Sequence, residues 1–230
     1  MIEHVIRRAE ICPELDGVYV ATCDYEVRKV AEGLSCRVIM TSAAHERATD
    51  RVAEAAAQIE GDIVVMIQGD EPMITPEMVT ASITPLLEDR SVDCVNLVHR
   101  ITDRDEYLDS NTIKVVMDIN HDAIYFSRAP IPAVDFARAK TPIFKQVCVI
   151  PFRREFLSRF SRWPSTPLER AEAIDMLRII ERGIPVRLVE VNTETHSVDT
   201  PEDLRLVEHL MKHDPLIPKY SEPKARVEAV

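Results

Sequence analysis

An amide, a glycine and two carboxylates stand together at Gln68-Gly69-Asp70-Glu71-Pro72. They follow Asp62-Ile63-Val64-Val65-Met66-Ile67, a short apolar run rich in β-branched residues, which reads as a buried strand. The carboxylates therefore sit where a strand ends, and open α/β sheets bind ligands outside the carboxyl ends of their strands. Hard carboxylate oxygens there suit Mg²⁺, which in turn suits phosphates. On spacing alone an ordinary acidic turn fits the same five residues equally well.

Other chemistries are less well served. Cysteines 12, 23, 36, 94 and 148 form no CxxC pair and no metal-ligand spacing. They read as reduced, buried thiols of a cytoplasmic protein. Five glycines occur where average usage would give about sixteen. None belongs to a GxGxxG or GxxxxGK cluster, so neither common phosphate-cradling loop is expected. The net charge of −11, without a basic block, argues against nucleic acid or an anionic membrane as partner. A nucleotide remains compatible, because a bound metal supplies local positive charge.

Positioning these residues falls to an alternation of strands and helices. The 230 residues fit one large α/β domain, and 46% apolar with 29% charged residues excludes disorder. Ile2, Val5, Ile6 and Ala9 lie at helical spacing, and Cys12-Pro13 ends that helix. Strands are expected at 18–22, 36–40 and 62–67, with helices at 24–32, stopped by Gly33, and at 49–59. Thr75-Pro76-Glu77 opens another helix, with threonine as cap and proline in the first turn. Such alternation implies a three-layer sheet with helices on both faces. The middle is β-rich, with strands at 92–98, 113–118, 123–127 and 144–150 and a hairpin turn at His121-Asp122. Helices follow at 153–161 and 167–182, then a strand at 185–191, and Thr200-Pro201-Glu202-Asp203 opens the last helix. One domain over 1–213 with a loose tail over 214–230 is expected. No apolar run reaches membrane-spanning length, and the N-terminus is amphipathic rather than a signal peptide.

Four segments, in order, resemble one family. They are Met40-Thr41-Ser42 with His45 and Thr49-Asp50-Arg51; Gln68 to Pro72; Asn111 with Lys114-Val115-Val116 and Tyr125 to Pro132; and Val198-Asp199-Thr200-Pro201-Glu202-Asp203-Leu204. Their order and spacing resemble the CMP-sugar-acid synthetases, specifically the 3-deoxy-manno-octulosonate cytidylyltransferases, over about residues 1–212. The resemblance implies a Rossmann-like three-layer nucleotidyltransferase fold, mostly parallel, with a β-rich dimerisation arm at about 97–150. It implies a cytoplasmic homodimer in lipopolysaccharide biosynthesis, with CTP, a 2-keto sugar acid and Mg²⁺ as its ligands. CMP would pass to the anomeric hydroxyl, and pyrophosphate would leave. Chemistry at phosphorus needs positioning and charge neutralisation more than a covalent nucleophile.

By matching positions, the resemblance gives Asp70 and Asp199 the catalytic metal and Gln68, Thr41, Ser42 and Arg51 the nucleotide. Arg128, Gln146 and Asp175 fall on the sugar-acid side, where a guanidinium suits a carboxylate. Plainer readings stand beside these. Asp199 immediately precedes a helix cap, Arg51 lies three residues before Glu54 on a helix face, and Arg128 reads as a surface arginine. His45 and His196 read as satisfied loop histidines.

Two departures from the family pattern carry expectations. The family opens with a strand and a basic loop resembling I-P-A-R-x-x-S-x-R-x-P-G-K-P-L, whereas this chain opens at what would follow it. A central strand is then expected to lack its neighbour, and the chain as given to turn over slowly. The family segment H-I-G-I-Y-A-Y-R reads Gln146-Val147-Cys148-Val149-Ile150-Pro151-Phe152-Arg153 here, and E-Q-L-R reads Asp175-Met176-Leu177-Arg178. A changed polar set implies a related sugar acid or a divergent subgroup. The rival readings are a non-catalytic homodimeric remnant of the fold and a sugar-nucleotide glycosyltransferase, though the D-x-D spacing of the latter is absent.

Overall fold

The computed structural model describes residues 1–221. In chain order the elements are α1 (Ile2–Glu10), β1 (Tyr19–Thr22), α2 (Tyr25–Gly33), β2 (Arg37–Met40), α3 (Ala48–Ala56), β3 (Ile63–Ile67) and α4 (Pro76–Glu88). Then come β4 (Val95–Arg100), α5 (Arg104–Leu108), β5 (Lys114–Met117), β6 (Ala123–Ser127), β7 (Phe144–Val147), β8 (Val149–Arg153) and α6 (Arg154–Phe160). The chain continues through α7 (Pro167–Glu172), α8 (Leu177–Ile180), β9 (Arg187–Val191), α9 (Pro201–Met211) and α10 (Ile217–Ser221). Helix starts follow their caps. Asp24 accepts from the N–H groups of Glu26 and Val27, Thr75 from Met78, and Thr200 shares a reciprocal cap with Asp203.

Three layers follow from the period of a strand. Side chains alternate faces, so β3 sends Val64 and Met66 into one core and Val65 and Ile67 into another. The first core contains Ala53 and Ala56 of α3 with Phe156, Leu157 and Phe160 of α6. The second contains Val5 of α1 with Met78 and Val79 of α4. Helices thus cover both faces of the strands.

The sheet itself is mixed, not mostly parallel. β1 pairs with β2 in parallel, and β4 pairs with β9 in parallel. The β3/β8, β4/β7, β5/β6 and β5/β7 pairs are antiparallel. The largest sheet runs β6-β5-β7-β4-β9, and a Cys94–Phe152 bridge joins its β4 side to β8. Among the described residues the β1/β2 pair forms no ladder with the other strands, while α3 packs against both β1 and β3.

Three expectations change. The run 144–150 is two strands, not one, because the chain bends at Cys148. There Cys148 N–H donates to Glu71 Oε1 (3.2 Å) and its carbonyl accepts from Gln68 N–H (3.2 Å), so the strand leaves one sheet and enters another. The run 167–182 is two short helices separated by Ala173, which adopts the left-handed conformation (φ 58°). This break lets the Glu172 carboxylate bond Ser127 and the Arg128 N–H on one side while Asp175 reaches Thr49 on the other. The tail is docked where it is described. Asp214 pairs with buried Arg8 at 2.6 Å, Leu216 is buried, and the Tyr220 hydroxyl meets His4 at 3.0 Å. Residues 222–230, the rest of the expected loose tail, lie outside the described residues.

The β-rich middle is built into the domain rather than hanging from it. The β5/β6 hairpin turns at Asp118–Asp122, with His121 at φ 63°, and then touches the start of β9 through an Asp122–Arg187 bridge. Ile119 and Ile124 on this hairpin are 96% and 55% exposed, which leaves apolar surface uncovered.

Candidate active site

β3 ends at Ile67, and the next residues fold into a tight turn in which Glu71 N–H donates to the Gln68 carbonyl (3.3 Å). The chain returns to this turn much later: Val198 N–H donates to the Asp70 carbonyl at 2.9 Å. That single backbone bond sets Asp199 beside Asp70. Ser197 Oγ donates to the Asp199 carboxylate (3.3 Å), and the Thr200 cap fixes the backbone just beyond it. The cap reading of this segment holds, and the cap is also what presents Asp199 beside the turn.

Charge is under-compensated here. Asp70 Oδ1 is buried and has no hydrogen-bond partner, and burial together with the charge of Asp199 pushes the Asp70 carboxyl upward. Glu71 is more deeply buried; burial first, and Asp70 and Asp199 in addition, raise it to about 7. Its Oε2 also lacks a partner. The Cys148 thiol is pushed up by burial and by the carboxylates of Glu71, Asp70, Asp175 and Asp199. That places Asp175 within electrostatic reach of the same centre.

Three of the residues expected on the nucleotide side, Thr41, Ser42 and Arg51, form one knot. Arg51 Nη1 donates to Thr41 Oγ1 (2.6 Å) and to the Ser42 carbonyl (3.2 Å), and Nη2 to the His45 carbonyl (3.4 Å). Arg51 thus serves the 41–45 loop rather than Glu54, whose carboxylate accepts from Ser42 N–H (3.0 Å) and pairs with His45. His196 pairs with Glu194 at 3.2 Å. Both histidines are loop residues with a carboxylate partner. Gln68 stands at the mouth of β3.

On the sugar-acid side the expected residues are held by the chain itself. Arg128 Nε donates to the Glu172 carbonyl (2.9 Å) and Nη1 to the Ser110 carbonyl (3.0 Å). Gln146 Nε2 donates to Asn96 Oδ1 (2.5 Å), and the Asp175 carboxylate accepts from the Thr49 hydroxyl. None of the three makes a hydrogen bond to Asp70 or Asp199. Glu71, Cys148 and Lys145 belong to the centre, and none of the three was among the expected site residues. Glu71 is the second carboxylate of the motif, and a lysine among buried strand residues is itself a signal of a fixed partner.

The donors fit a hard divalent cation. They are carboxylate oxygens, one of them buried without a partner. Among the described residues no group of three or more His, Cys, Asp or Glu is arranged to hold a metal. Two carboxylates with coordination left for phosphate and water is the usual arrangement for Mg²⁺ at nucleotides. A separate groove of about 820 Å³ lies between α3 and the α6–α7 region, lined by Asp50, Arg154, Trp163 and Arg178 among others, and does not include Asp70 or Asp199.

Residues 1–215 match the cytidylyltransferase family. A 3-deoxy-manno-octulosonate cytidylyltransferase of Solibacter usitatus (strain Ellin6076) is 44% identical over 92% of this chain and 84% of its own length. The chain belongs to the 3-deoxy-manno-octulosonate cytidylyltransferase family. A solved CMP:2-keto-3-deoxy-manno-octonic acid synthetase in complex with CTP superposes with a TM-score of 0.83 at 37% identity, covering 92% of this chain and 87% of that one. A 4-diphosphocytidyl-2C-methyl-D-erythritol synthase from Anaerococcus prevotii shares the fold alone, with a TM-score of 0.60 at 12% identity over 92% of this chain and 88% of that one. The fold is that of the nucleotidyltransferases, as the family motifs imply.

Proposed function

We propose that this chain transfers CMP from CTP to the anomeric hydroxyl of 3-deoxy-manno-octulosonate or a related 2-keto sugar acid. The observation that supports this reading is the Val198–Asp70 backbone bond, which joins the two segments that carry Asp70 and Asp199. The hydroxyl oxygen bonds to the α-phosphorus, the bond from that phosphorus to the β-phosphate oxygen breaks, and pyrophosphate leaves with its electron pair. The hydroxyl proton passes to solvent. Asp70 and Asp199 would hold Mg²⁺, which when bound polarises the phosphate and makes the attacking hydroxyl more acidic.

The chain's own residues orient the reactants. Arg51 fixes the 41–45 loop so that Thr41 and Ser42 present one rigid edge to the nucleotide. Gln68, at the strand end, contacts the nucleotide next to Asp70. Arg128, held by two carbonyls, offers its remaining donors to the sugar-acid carboxylate. Gln146 and Asp175 shape the sugar pocket. Relatives at 44% and 41% identity that are named as cytidylyltransferases make a non-catalytic remnant or a glycosyltransferase the weaker account. The working form is a cytoplasmic homodimer joined through the 97–150 region, where Ile119 and Ile124 lie bare. No helix is long and apolar enough to cross a membrane among the described residues.

The test is pyrophosphate release from CTP with Mg²⁺ and a panel of 2-keto sugar acids. Release with 3-deoxy-manno-octulosonate, lost in Asp70→Asn and in Asp199→Asn, is expected. A folded sample that acts on no sugar acid would overturn the assignment.

A further inference from the structure

We propose that Lys145 is a positioning residue for the carboxylate pair: its ammonium anchors the loop that carries Asp199. The inference rests on the reading of Asp70 and Asp199 as holders of a divalent cation. Lys145 lies on β7 between Phe144 and Gln146 and is only 9% exposed. Alternation along the strand turns it away from the Gln146 face and toward that of Val147, which packs with Ile74 and Met78 beyond the Gln68–Pro72 turn.

Two contacts define what it does. Its Nζ donates to the carbonyl of Thr195 at 2.9 Å and to Glu106 Oε1 at 2.5 Å. Thr195 is the buried point of an otherwise open loop: it is 2% exposed, whereas Asn192, Thr193, Glu194, Ser197 and Asp199 are exposed. The loop is therefore pinned twice. One pin is Lys145 to Thr195, and the other is Val198 N–H to Asp70, immediately before Asp199. Without the first pin the second must hold a solvent-exposed segment alone. Glu106, from α5, orients the ammonium and keeps the pair neutral. A positioning group of this kind, bonded to the backbone that carries a ligand, typically changes metal affinity by about 10–100-fold when removed.

The experiment uses the full chain and Mn²⁺ as probe. Free Mn²⁺ is counted by electron paramagnetic resonance, and hydrogen exchange is followed in the peptide covering 192–199. Lys145→Met is expected to weaken Mn²⁺ binding about 10-fold or more and to speed exchange in that peptide. Lys145→Arg, which keeps the charge and the donors, is expected to restore most of both. Leu86→Ala opens a cavity in a separate core cluster, with Val92 and Val95, and is expected to lower stability while leaving both readouts unchanged. Wild-type Mn²⁺ affinity in Lys145→Met, or an equal change in Leu86→Ala, would overturn the positioning role and leave the carboxylate reading standing. Wild-type affinity in Asp199→Asn, or no Mn²⁺ uptake by the wild type, would overturn the carboxylate reading and the inference together.

Discussion

Glu71→Gln tests the electrostatics of the centre directly. The Glu71 carboxyl is 3% exposed, and burial raises it from 4.5 to about 7. In the unfolded chain the same group titrates at its ordinary value. Between those two values the native state binds the proton more tightly than the unfolded state does. The stability this group allows is thus complete below about 4.5 and is lost as pH rises through about 7. At 1.36 kcal/mol per unit the full loss is about 3 kcal/mol, of which about 2.5 kcal/mol falls between pH 5 and pH 8. Glutamine keeps a carbonyl to accept the Cys148 N–H but cannot ionise. Its amide donors, set where Oε2 now lacks a partner, cost about 1–3 kcal/mol at every pH. The absolute difference between variant and wild type is therefore unremarkable, and its slope carries the information. Urea unfolding in EDTA at pH 5, 6, 7 and 8 should show the variant gaining about 2.5 kcal/mol on the wild type across the series. A difference that stays constant from pH 5 to pH 8 would refute the argument that Glu71 is buried as a neutral acid.

Lys114→Met removes an ammonium that is fully buried and donates to the carbonyls of Asp109, Thr112 and Arg128 at 2.6 Å each. A loss of about 3 kcal/mol or more in urea unfolding is expected, with sugar-acid KM rising because Arg128 loses its support. Arg178→Met strips a guanidinium from Glu169, whose side chain is 1% exposed, and from Asp50; about 3–5 kcal/mol should be lost by the same assay. Asp70→Asn should lower kcat for pyrophosphate release by about 10²-fold or more without unfolding the chain, checked by circular dichroism alongside the rate. Sedimentation at micromolar concentration should give a dimer, and Ile119→Asp should shift it toward monomer, since Ile119 is 96% exposed.

What could be read in advance was local. The period of β3, the caps at Thr75 and Thr200, and the strand-end position of Asp70 depend on neighbours a few residues away, and each is found in the structure. Long-range pairing leaves no such trace. Nothing in Val147-Cys148-Val149 marks a bend, because the bend is made by Gln68 and Glu71, which capture both backbone groups of Cys148. Ala173 gives no warning of a left-handed conformation, and Ser35 (φ 62°) takes the left-handed position after α2 where Gly33 was expected to end the helix. Lys145 was passed over for a related reason. A lysine in a strand is read by its usual exposure; its place among apolar strand residues signals a fixed partner, and the fold shows which carbonyl and carboxylate serve.

The same bend explains why the centre is strained electrostatically yet stable in shape. Turning the chain at Cys148 brings the Glu71 carboxylate under the strand switch, where one of its oxygens is needed as an acceptor and the other is stranded. Asp70 is next in sequence and inherits the burial, and the Val198 bond adds Asp199 from outside. The backbone on either side is tied, by Glu71 N–H to the Gln68 carbonyl and Val198 N–H to the Asp70 carbonyl, which keeps the three acidic residues in one region. Burial, and in addition the repulsion among them, raises the Asp70 and Glu71 carboxyls. That repulsion can be relieved by a proton, which Glu71 takes near pH 7, or by a cation. A ligand that binds only this arrangement must stabilise the native state over the unfolded one, since the unfolded chain has no such cluster. The negative charge of this centre thus follows from the way the backbone is tied, through hydrogen bonds at residues 68, 71, 148 and 198.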